Sequence, residues 1–356
     1  MDVTILDLSE KDKWNNYIKE FAAEKQDIYF TPEYYKLYED YGDGKAQCFV
    51  FERGGDIAIY PYLVNSVNDL GYDLNKQYYD IQGAYGYNGV LTSTNERKFI
   101  EMFYDSFNNH CLNENIIAEF TRFHPLLKNY LFSEGFTQVI RDRSTIYLDL
   151  SKSYEEIWEN YYSSKNRNMI RKAQKKQFSI RIIKEPNLDE IDSFIKIYQA
   201  TMRKNNAEEY YYFNEEYFIN TFRKLNSEAI LLEVVNTQNE VECTAIIFIF
   251  GFYAHYNLSG RVLHSDNSVN NFILDEAIKY SINRGAKYFH FGGGTTSNMD
   301  DPLLKFKSNF SKDQSDFYIG KKIHNNDVYR NTIAQWEKKS PDKIEKYKNF
   351  ILKYRF

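Results

Sequence analysis

The chain has 356 residues, with 45 Lys and Arg against 50 Asp and Glu and a formal net charge of −5, which excludes a uniformly basic nucleic-acid coat. Its length suits two compact domains better than one, and 43% apolar residues with only 6 prolines exclude a chain that is mostly disordered linker. Three widely spaced cysteines, Cys48, Cys111 and Cys243, form no metal or redox motif and fit a reducing compartment.

In chain order, the spacing of apolar residues predicts a helix over Lys11–Ala23 and a short one after Pro32, through Glu33–Glu39. Strands Gln47–Glu52 and Asp56–Val64 flank Arg53-Gly54-Gly55, a hairpin signal. A loop holds Asp80 to Gly89. Then follow a helix at Asn95–Cys111, strand Ile116–Arg122, a short helix from Pro125 to Glu134, and strands Phe136–Ile140 and Thr145–Leu150. The second half repeats this order. A helix over Tyr154–Lys176 leads to strand Ser179–Ile183, and helices follow at Leu188–Lys204 and Asn214–Leu225. Strands Ala229–Val235 and Glu242–Phe250 form a second hairpin, and Tyr253–Ser259 extends the sheet. A helix at Val269–Arg284, strand Ala286–Phe291, a short helix after Pro302, strand Asp316–Gly320 and a basic helix over Asn331–Tyr354 complete the chain. The boundary is placed near Leu150–Ser153, where a strand ends and a capping Ser opens a helix. Domains at 1–150 and 151–356 are therefore expected. No stretch approaches the roughly 20 apolar residues of a membrane helix, and no secretory leader opens the sequence. The expected location is the cytoplasm, with peripheral contact at the inner face of the membrane open to it.

Charge is uneven. Ser163 to Lys184 holds eight Lys or Arg and no acid, and Pro302 to Phe356 holds thirteen basic against six acidic residues. Such tracts meet phosphates without making the whole chain basic. The 32 Tyr and 27 Phe serve as core, or in part line a groove for a sugar or peptide. No metal-binding cluster, no Ser-His-Asp order and no paired carboxylates at motif spacing stand out.

Several stretches carry a resemblance. In the second half they are Trp158, then Ser163-Ser164-Lys165-Asn166-Arg167-Asn168-Met169-Ile170-Arg171-Lys172-Ala173, His290-Phe291-Gly292-Gly293-Gly294, and Leu303-Leu304-Lys305-Phe306-Lys307-Ser308-Asn309-Phe310. In the first half they are Arg122-Phe123-His124-Pro125-Leu126-Leu127 and the Tyr85-Gly86-Tyr87 loop. Over most of its length the chain thus resembles the FemABX-like and related GNAT-type acyltransferases. The resemblance implies an α/β (α+β) chain of two tandem GNAT-like domains, each a mixed, mainly antiparallel sheet flanked by helices, with an acceptor cleft between them. It implies an aminoacyl-tRNA or acyl-CoA donor and no permanently bound cofactor. It also implies a nucleotide-sugar, muropeptide or glycolipid acceptor, in peptidoglycan or surface-polysaccharide synthesis. The chain departs from the family pattern in lacking a coiled-coil insertion and in reading Ala84 where some members have Pro before Tyr-Gly-Tyr.

Amide formation from an activated carbonyl needs no Ser or Cys nucleophile, because an unprotonated amine attacks by itself. The protein must orient two substrates and stabilise an oxyanion. Lys307 is the candidate cation, with Phe306 beside it, because the resemblance makes the Lys of this Phe-Lys pair a required residue; the alternative is an exposed helix lysine. Gly292, Gly293 and Gly294 follow a strand and let a backbone approach a carbonyl or phosphate oxygen. Arg203 matches the family's phosphate-gripping Arg, or else offsets the dipole of its own helix end. Arg167 and Arg171 share one helix face, fit for tRNA or a diphosphate, or are simply solvated. Lys36, Tyr85, Tyr87, Tyr256 and His290 complete the substrate-binding candidates. Three other readings stand beside a transferase of envelope precursors: a non-catalytic GNAT-fold binding module, an RNA-binding scaffold, and an acyl-CoA-dependent acetyltransferase of a nucleotide-sugar.

Overall fold

The computed structural model describes residues 2–356. Its strands are, in chain order, β1 (Asp2–Asp7), β2 (Lys45–Arg53), β3 (Asp56–Ser66), β4 (Tyr79–Gln82), β5 (Leu91–Thr92), β6 (Ile116–Arg122) and β7 (Gln138–Asp149). They continue with β8 (Ser179–Ile183), β9 (Ala229–Val235), β10 (Val241–Phe250), β11 (Tyr253–Arg261), β12 (Tyr288–Gly293) and β13 (Gln314–Ile323). The chain divides into two compact units. One is the chain up to Lys25 with Tyr29–Asp142 and Phe317–Phe356; the other is Gln26–Ile28 with Arg143–Asp316.

In the first unit the strands lie in the order β1-β2-β3-β4-β6-β13, with β5 pairing on β3. Neighbours are antiparallel except β4 and β6, which run parallel. The β2–β3 hairpin turns through Gly54 and Gly55 at φ 64° and 91°, values that two-residue hairpin loops demand. A parallel pair needs a crossover, and the helix Arg97–Asn113 supplies it. Its Phe99, Phe103, Phe107 and Cys111 recur at helical spacing and bury against Phe49, Phe51, Tyr60 and Tyr62. Phe49 meets Phe103 and Phe107 edge to face, with ring centres 5.6 and 5.1 Å apart. The helices Lys11–Glu20 and Pro32–Tyr41 bury Trp14 and Tyr35 against each other at 5.5 Å.

In the second unit the order is β7-β12-β11-β10-β9-β8. Again one pair, β11 with β12, is parallel and the rest are antiparallel. The helix Ser268–Asn283 makes the crossover. Position by position, β8, β9, β10, β11 and β12 repeat β1, β2, β3, β4 and β6. The sixth place is filled by exchange: β13, which follows the second unit's strands in the chain, borders β6, and β7, which follows the first unit's, borders β12. The units therefore differ in extent from the domains expected at 1–150 and 151–356. Arg143–Leu150 belongs with the second unit, and Phe317–Phe356 with the first. Alternating apolar residues mark where a strand is, but not which sheet receives it.

Other differences are local. Strands β1 and β4 are not foreseen, and Asp80–Gln82, read as loop, lies in β4. The two strands expected over 136–150 are one continuous β7. The helix expected over Tyr154–Lys176 breaks at Tyr162 and Ser163, both extended, and Ser163 Oγ caps a fresh helix, Ser164–Lys175, through Asn166 N at 3.1 Å. The segment after Pro125 holds only a short 3-10 turn at Asn129–Phe132. The expected C-terminal helix spans Asn326–Lys339 and stops before Pro341, which cannot continue a helix hydrogen-bond ladder. Among the described residues, no helix is long and apolar enough to cross a membrane.

The tail beyond Pro341 is anchored by Asp80, which is fully buried. Tyr354 Oη donates to its carboxylate at 2.8 Å and Arg355 Nε at 2.8 and 3.0 Å. Burial raises the Asp80 pKa, and the Arg355 guanidinium and Tyr354 hydroxyl pull it back only in part. Arg355→Ala strands this carboxylate and should cost about 3 kcal/mol at pH 7, measured by urea denaturation. A folded carboxyl with a raised pKa holds its proton more tightly than the unfolded chain does, so the deficit should shrink as pH falls from 7 to 5.

Candidate functional site

The sequence-predicted residues of the second unit converge where two parallel strands part. β11 and β12 pair only at Tyr253–Tyr288, Ala254–Phe289 and His255–His290. Beyond these, β11 stays with β10 as far as Arg261, whereas β12 shifts register between His290 and Gly292 and stays with β7 through Gly293. Gly292 has φ 77°, a conformation costly for any residue with a Cβ. Lys307 reaches both sides of this fork. Its Nζ donates to Gly293 O at 2.7 Å on the β12 side, and lies 6.0 Å from the centre of the Tyr256 ring on the β11 side. Lys307 is only 7% exposed. Burial pulls its pKa down to about 7, with the Asp301 carboxylate opposing the shift.

One carboxylate sets this position. Lys307 ends the helix Pro302–Lys307, whose N-cap is Asp301. Asp301 Oδ1 accepts from the backbone N–H of Leu303 and Leu304 at 2.9 and 3.0 Å. Oδ2 accepts from the N–H and hydroxyl of Thr295 at 3.1 and 2.6 Å, and from those of Thr296 at 3.0 and 3.1 Å. Burial alone would raise the carboxyl pKa, but these hydrogen bonds hold it well below the usual carboxylate range. Gly294 is the clearance this needs, since a Cβ there would stand 2.5 Å from Asp301 Oδ1. Arg143 Nη1 fixes the Gly294 carbonyl at 3.0 Å. Asp301 is absent from the sequence-derived candidates, yet Asp-Pro opening a short helix is a recognisable N-cap signal.

Tyr256 donates to Ser259 Oγ at 2.5 Å, and burial pushes its phenol pKa up. His290 is buried, its ring 5.6 Å from His255, which in turn meets Asp27 Oδ2 at 2.8 Å through Nε2. Phe306 packs partly buried against the core, 5.8 Å from the Phe310 ring.

The other candidates lie elsewhere. Arg167 Nη1 caps the carbonyls of Trp158, Glu159 and Tyr162 at 3.1, 3.2 and 2.5 Å, so its guanidinium closes the preceding turn. Arg171 stacks over the Trp158 ring at 5.3 Å. Lys172 and Lys176 both pair with Asp266, at 2.8 and 2.7 Å. Arg203 is exposed on the last turn of Leu188–Lys204. Lys36, Tyr85 and Tyr87 belong to the first unit. Lys36 pairs with Asp40. Tyr85 O accepts from the Tyr34 hydroxyl at 2.5 Å. The Tyr87 ring sits among Tyr29, His124 and Phe317 at 5.2, 5.4 and 5.5 Å.

The matching place in the first unit is bonded shut. Past the β4–β6 pairing, Asn88 N donates to Arg122 O at 2.6 Å and Asn88 Oδ1 accepts from Arg122 N at 2.9 Å. The Asn129 amide secures the Asn88 carbonyl at 2.9 Å. Of the two repeats, the second alone sets a lysine at this point.

The FemAB family model matches residues 104–244, and no curated protein matches the chain. Solved structures share its fold over nearly the whole length. The crystal structure of FemX is 15% identical with a TM-score of 0.67, covering 93% of this chain and 99% of that one. The C-terminal domain of a putative lysylphosphatidylglycerol synthetase from Agrobacterium fabrum is 12% identical with a TM-score of 0.56, covering 94% and 97%. A tandem GNAT protein from the clavulanic acid biosynthesis pathway is 7% identical with a TM-score of 0.51, covering 90% and 98%. At these identities the likeness concerns the fold. Residues 104–244 are thus similar to the FemAB family, and nearly the whole chain shares the fold of FemX.

Asp301→Asn replaces an acceptor with a donor facing backbone N–H groups. It should cost about 2 kcal/mol at pH 7. Because the native carboxyl pKa is depressed, its stabilisation is complete above the unfolded value near 4 and fades as pH falls through the folded value. Denaturation curves of wild type and variant should therefore draw together between about pH 4 and pH 2.

Proposed function

We propose that the protein transfers an acyl or aminoacyl group to an amine of a cell-envelope precursor, with Lys307 at the reacting carbonyl. The supporting observation is the ammonium buried at the β11–β12 fork. A donor carbonyl lying there puts its developing oxyanion within reach of Nζ, where burial strengthens the interaction. The acceptor amine attacks the carbonyl carbon and the new C–N bond forms. The bond to the donor's oxygen or sulfur then breaks, and the proton lost by the amine passes to the leaving group. With a pKa near 7, Lys307 gives up a proton and regains it at little cost near neutrality. In this reading Tyr256 and the Gly292–Gly294 turn line the approach, and Arg203, on an exposed helix end, grips an acceptor phosphate.

Aminoacyl-tRNA is the leading donor, on the strength of the FemAB match and the basic tract. Acyl-CoA is the second reading. It gains support from the pairing of Lys172 and Lys176 with Asp266 and from the use of Arg167 as a cap, which engage three of the tract's eight basic residues. The acceptor is a nucleotide-sugar, muropeptide or glycolipid, met in the cytoplasm or at the inner face of the membrane. If the donor is aminoacyl-tRNA, transfer should weaken steeply between 50 and 200 mM salt. Transfer that ignores salt and proceeds from acyl-CoA selects the second reading.

Lys307→Met should lower kcat by about a hundred- to a thousand-fold while acceptor affinity, read by calorimetry, is kept. Undiminished turnover would remove Lys307 from the reaction, and absence of turnover in the wild type with every donor would favour a binding module. If the ammonium form is the active one, kcat/KM corrected for the unprotonated fraction of acceptor should fall about tenfold per pH unit above pH 7. That fall should be missing in Lys307→Arg, because a guanidinium stays charged.

A further inference from the structure

The first unit holds a cavity that the chemistry above does not use. Its volume is about 660 Å³, and it is walled by the end of β13, by the segment Gly135–Gln138 and by the tail around Lys348–Lys353. That volume falls within the range of sites for small ligands. Four lysines, Lys321, Lys322, Lys348 and Lys353, line it with Phe136 and Phe350, and no acidic residue does. Lys321 is half-buried and its Nζ donates to Asn349 O at 2.5 Å; Lys322 Nζ donates to Asn108 Oδ1 at 2.6 Å. Among the described residues neither forms an ion pair. Burial lowers the Lys321 pKa, and the Asp142 carboxylate restores only part of it. A half-buried cation whose hydrogen bond goes to a neutral carbonyl gains from an incoming anion. On the rim, Lys348 pairs with the exposed Glu345, an exchange a phosphate wins easily because surface pairs are weak.

The aromatic lining adds a second requirement. Phe350 is 51% exposed, an unusual state for phenylalanine, and it sits between Lys348 and Lys353 in sequence. Its ring is steadied edge-on by Tyr347 and Phe356, each at 5.5 Å. Phe136 is stacked on Tyr104 at 4.3 Å. The Arg97 guanidinium lies over the same Phe136 ring at 4.5 Å, so the ring left open is that of Phe350: a simple anion leaves it wet, whereas a planar base covers it.

We propose that this cavity binds a nucleoside phosphate, the lysines holding the phosphates and Phe350 the face of the base. The same chemistry is offered by the nucleotide end of a nucleotide-sugar and by the end of an RNA strand. The assignment is independent of Lys307, so Lys307→Met should bind as the wild type does, and loss of turnover and loss of this site are read separately.

The test is calorimetric titration of the full chain with UDP, a tetraribonucleotide, tripolyphosphate and phosphatidylglycerol vesicles. UDP or the tetraribonucleotide should bind below about 1 mM, and whichever is tighter identifies the source. Tripolyphosphate, with charge but no ring, should bind at least about fivefold more weakly than UDP. The double variant Lys348→Ala/Lys353→Ala, at side chains outside the core, should lose at least about fivefold in UDP affinity. Phe350→Ala should bring UDP and tripolyphosphate to equal affinity. The proposal is overturned if tripolyphosphate binds as tightly as UDP to the wild type, or if the variants bind UDP undiminished. It is equally overturned if vesicles bind and nucleotides do not.

Discussion

Six hydrogen bonds onto the carboxylate of Asp301 decide where the lysine of the site stands. The helix that carries Lys307 has six residues, too short to hold itself in water. It is pinned at its first turn by Asp301, which also gathers the Thr295–Thr296 loop. The far end of the helix is seated by Leu304 and Phe306 in the core of the second unit. From the end of this anchored helix the side chain of Lys307 runs across the parting of β11 and β12. The lowered pKa follows from that placement: an ammonium taken from water and given one carbonyl is poorly compensated. The position of Lys307 and its burial thus trace to the same feature, the acid three places beyond Asn298 at the mouth of the loop.

The two units show how one strand plan can be put to different uses. In both, a parallel pair sits third and second from one edge of the unit's sheet and opens at its carboxyl end. In the first unit the opening is filled by Asn88, which imitates a strand partner for Arg122 with its backbone and its side chain together. Gly83 accommodates it, since a Cβ there would meet the Asn88 amide at 2.3 Å. In the second unit the opening receives a charged side chain from a separate helix. The aromatic richness of the chain serves chiefly the cores, where Phe51 and Tyr104 meet Phe103 edge to face and Phe103 stacks on Phe107.

The sequence carried most strands in chain order, the two hairpins and the crossover helices in clear form, because each rests on local signals: turn residues with positive φ and helical spacing of phenylalanines. What depended on distant partners was hidden. β4 is four residues long and reads as loop until β3 and β6 flank it. Arg167 and Arg171 share a helix face as expected, but periodicity says nothing of the carbonyls that one of them caps or the indole that the other covers. Arg203 keeps its predicted place on a helix end. Ser163 was visible as a polar residue, yet the break it caps needed the extended backbone of Tyr162 to be seen. The destination of β7 and β13 was beyond reach altogether, because hydrogen-bond partners across a sheet leave no trace in spacing.

The exchange of these two strands bears on how the molecule is made. A chain emerging from the ribosome in order presents β1 to β6 first, but the strand that borders β6 is among the last to appear. Until then β6 keeps a row of unsatisfied backbone groups along one side, and Asp80 lacks the arginine it is built to meet. The amino-terminal half must therefore wait, incomplete, for the final forty residues, and any premature stop leaves an adhesive margin instead of a smaller working protein.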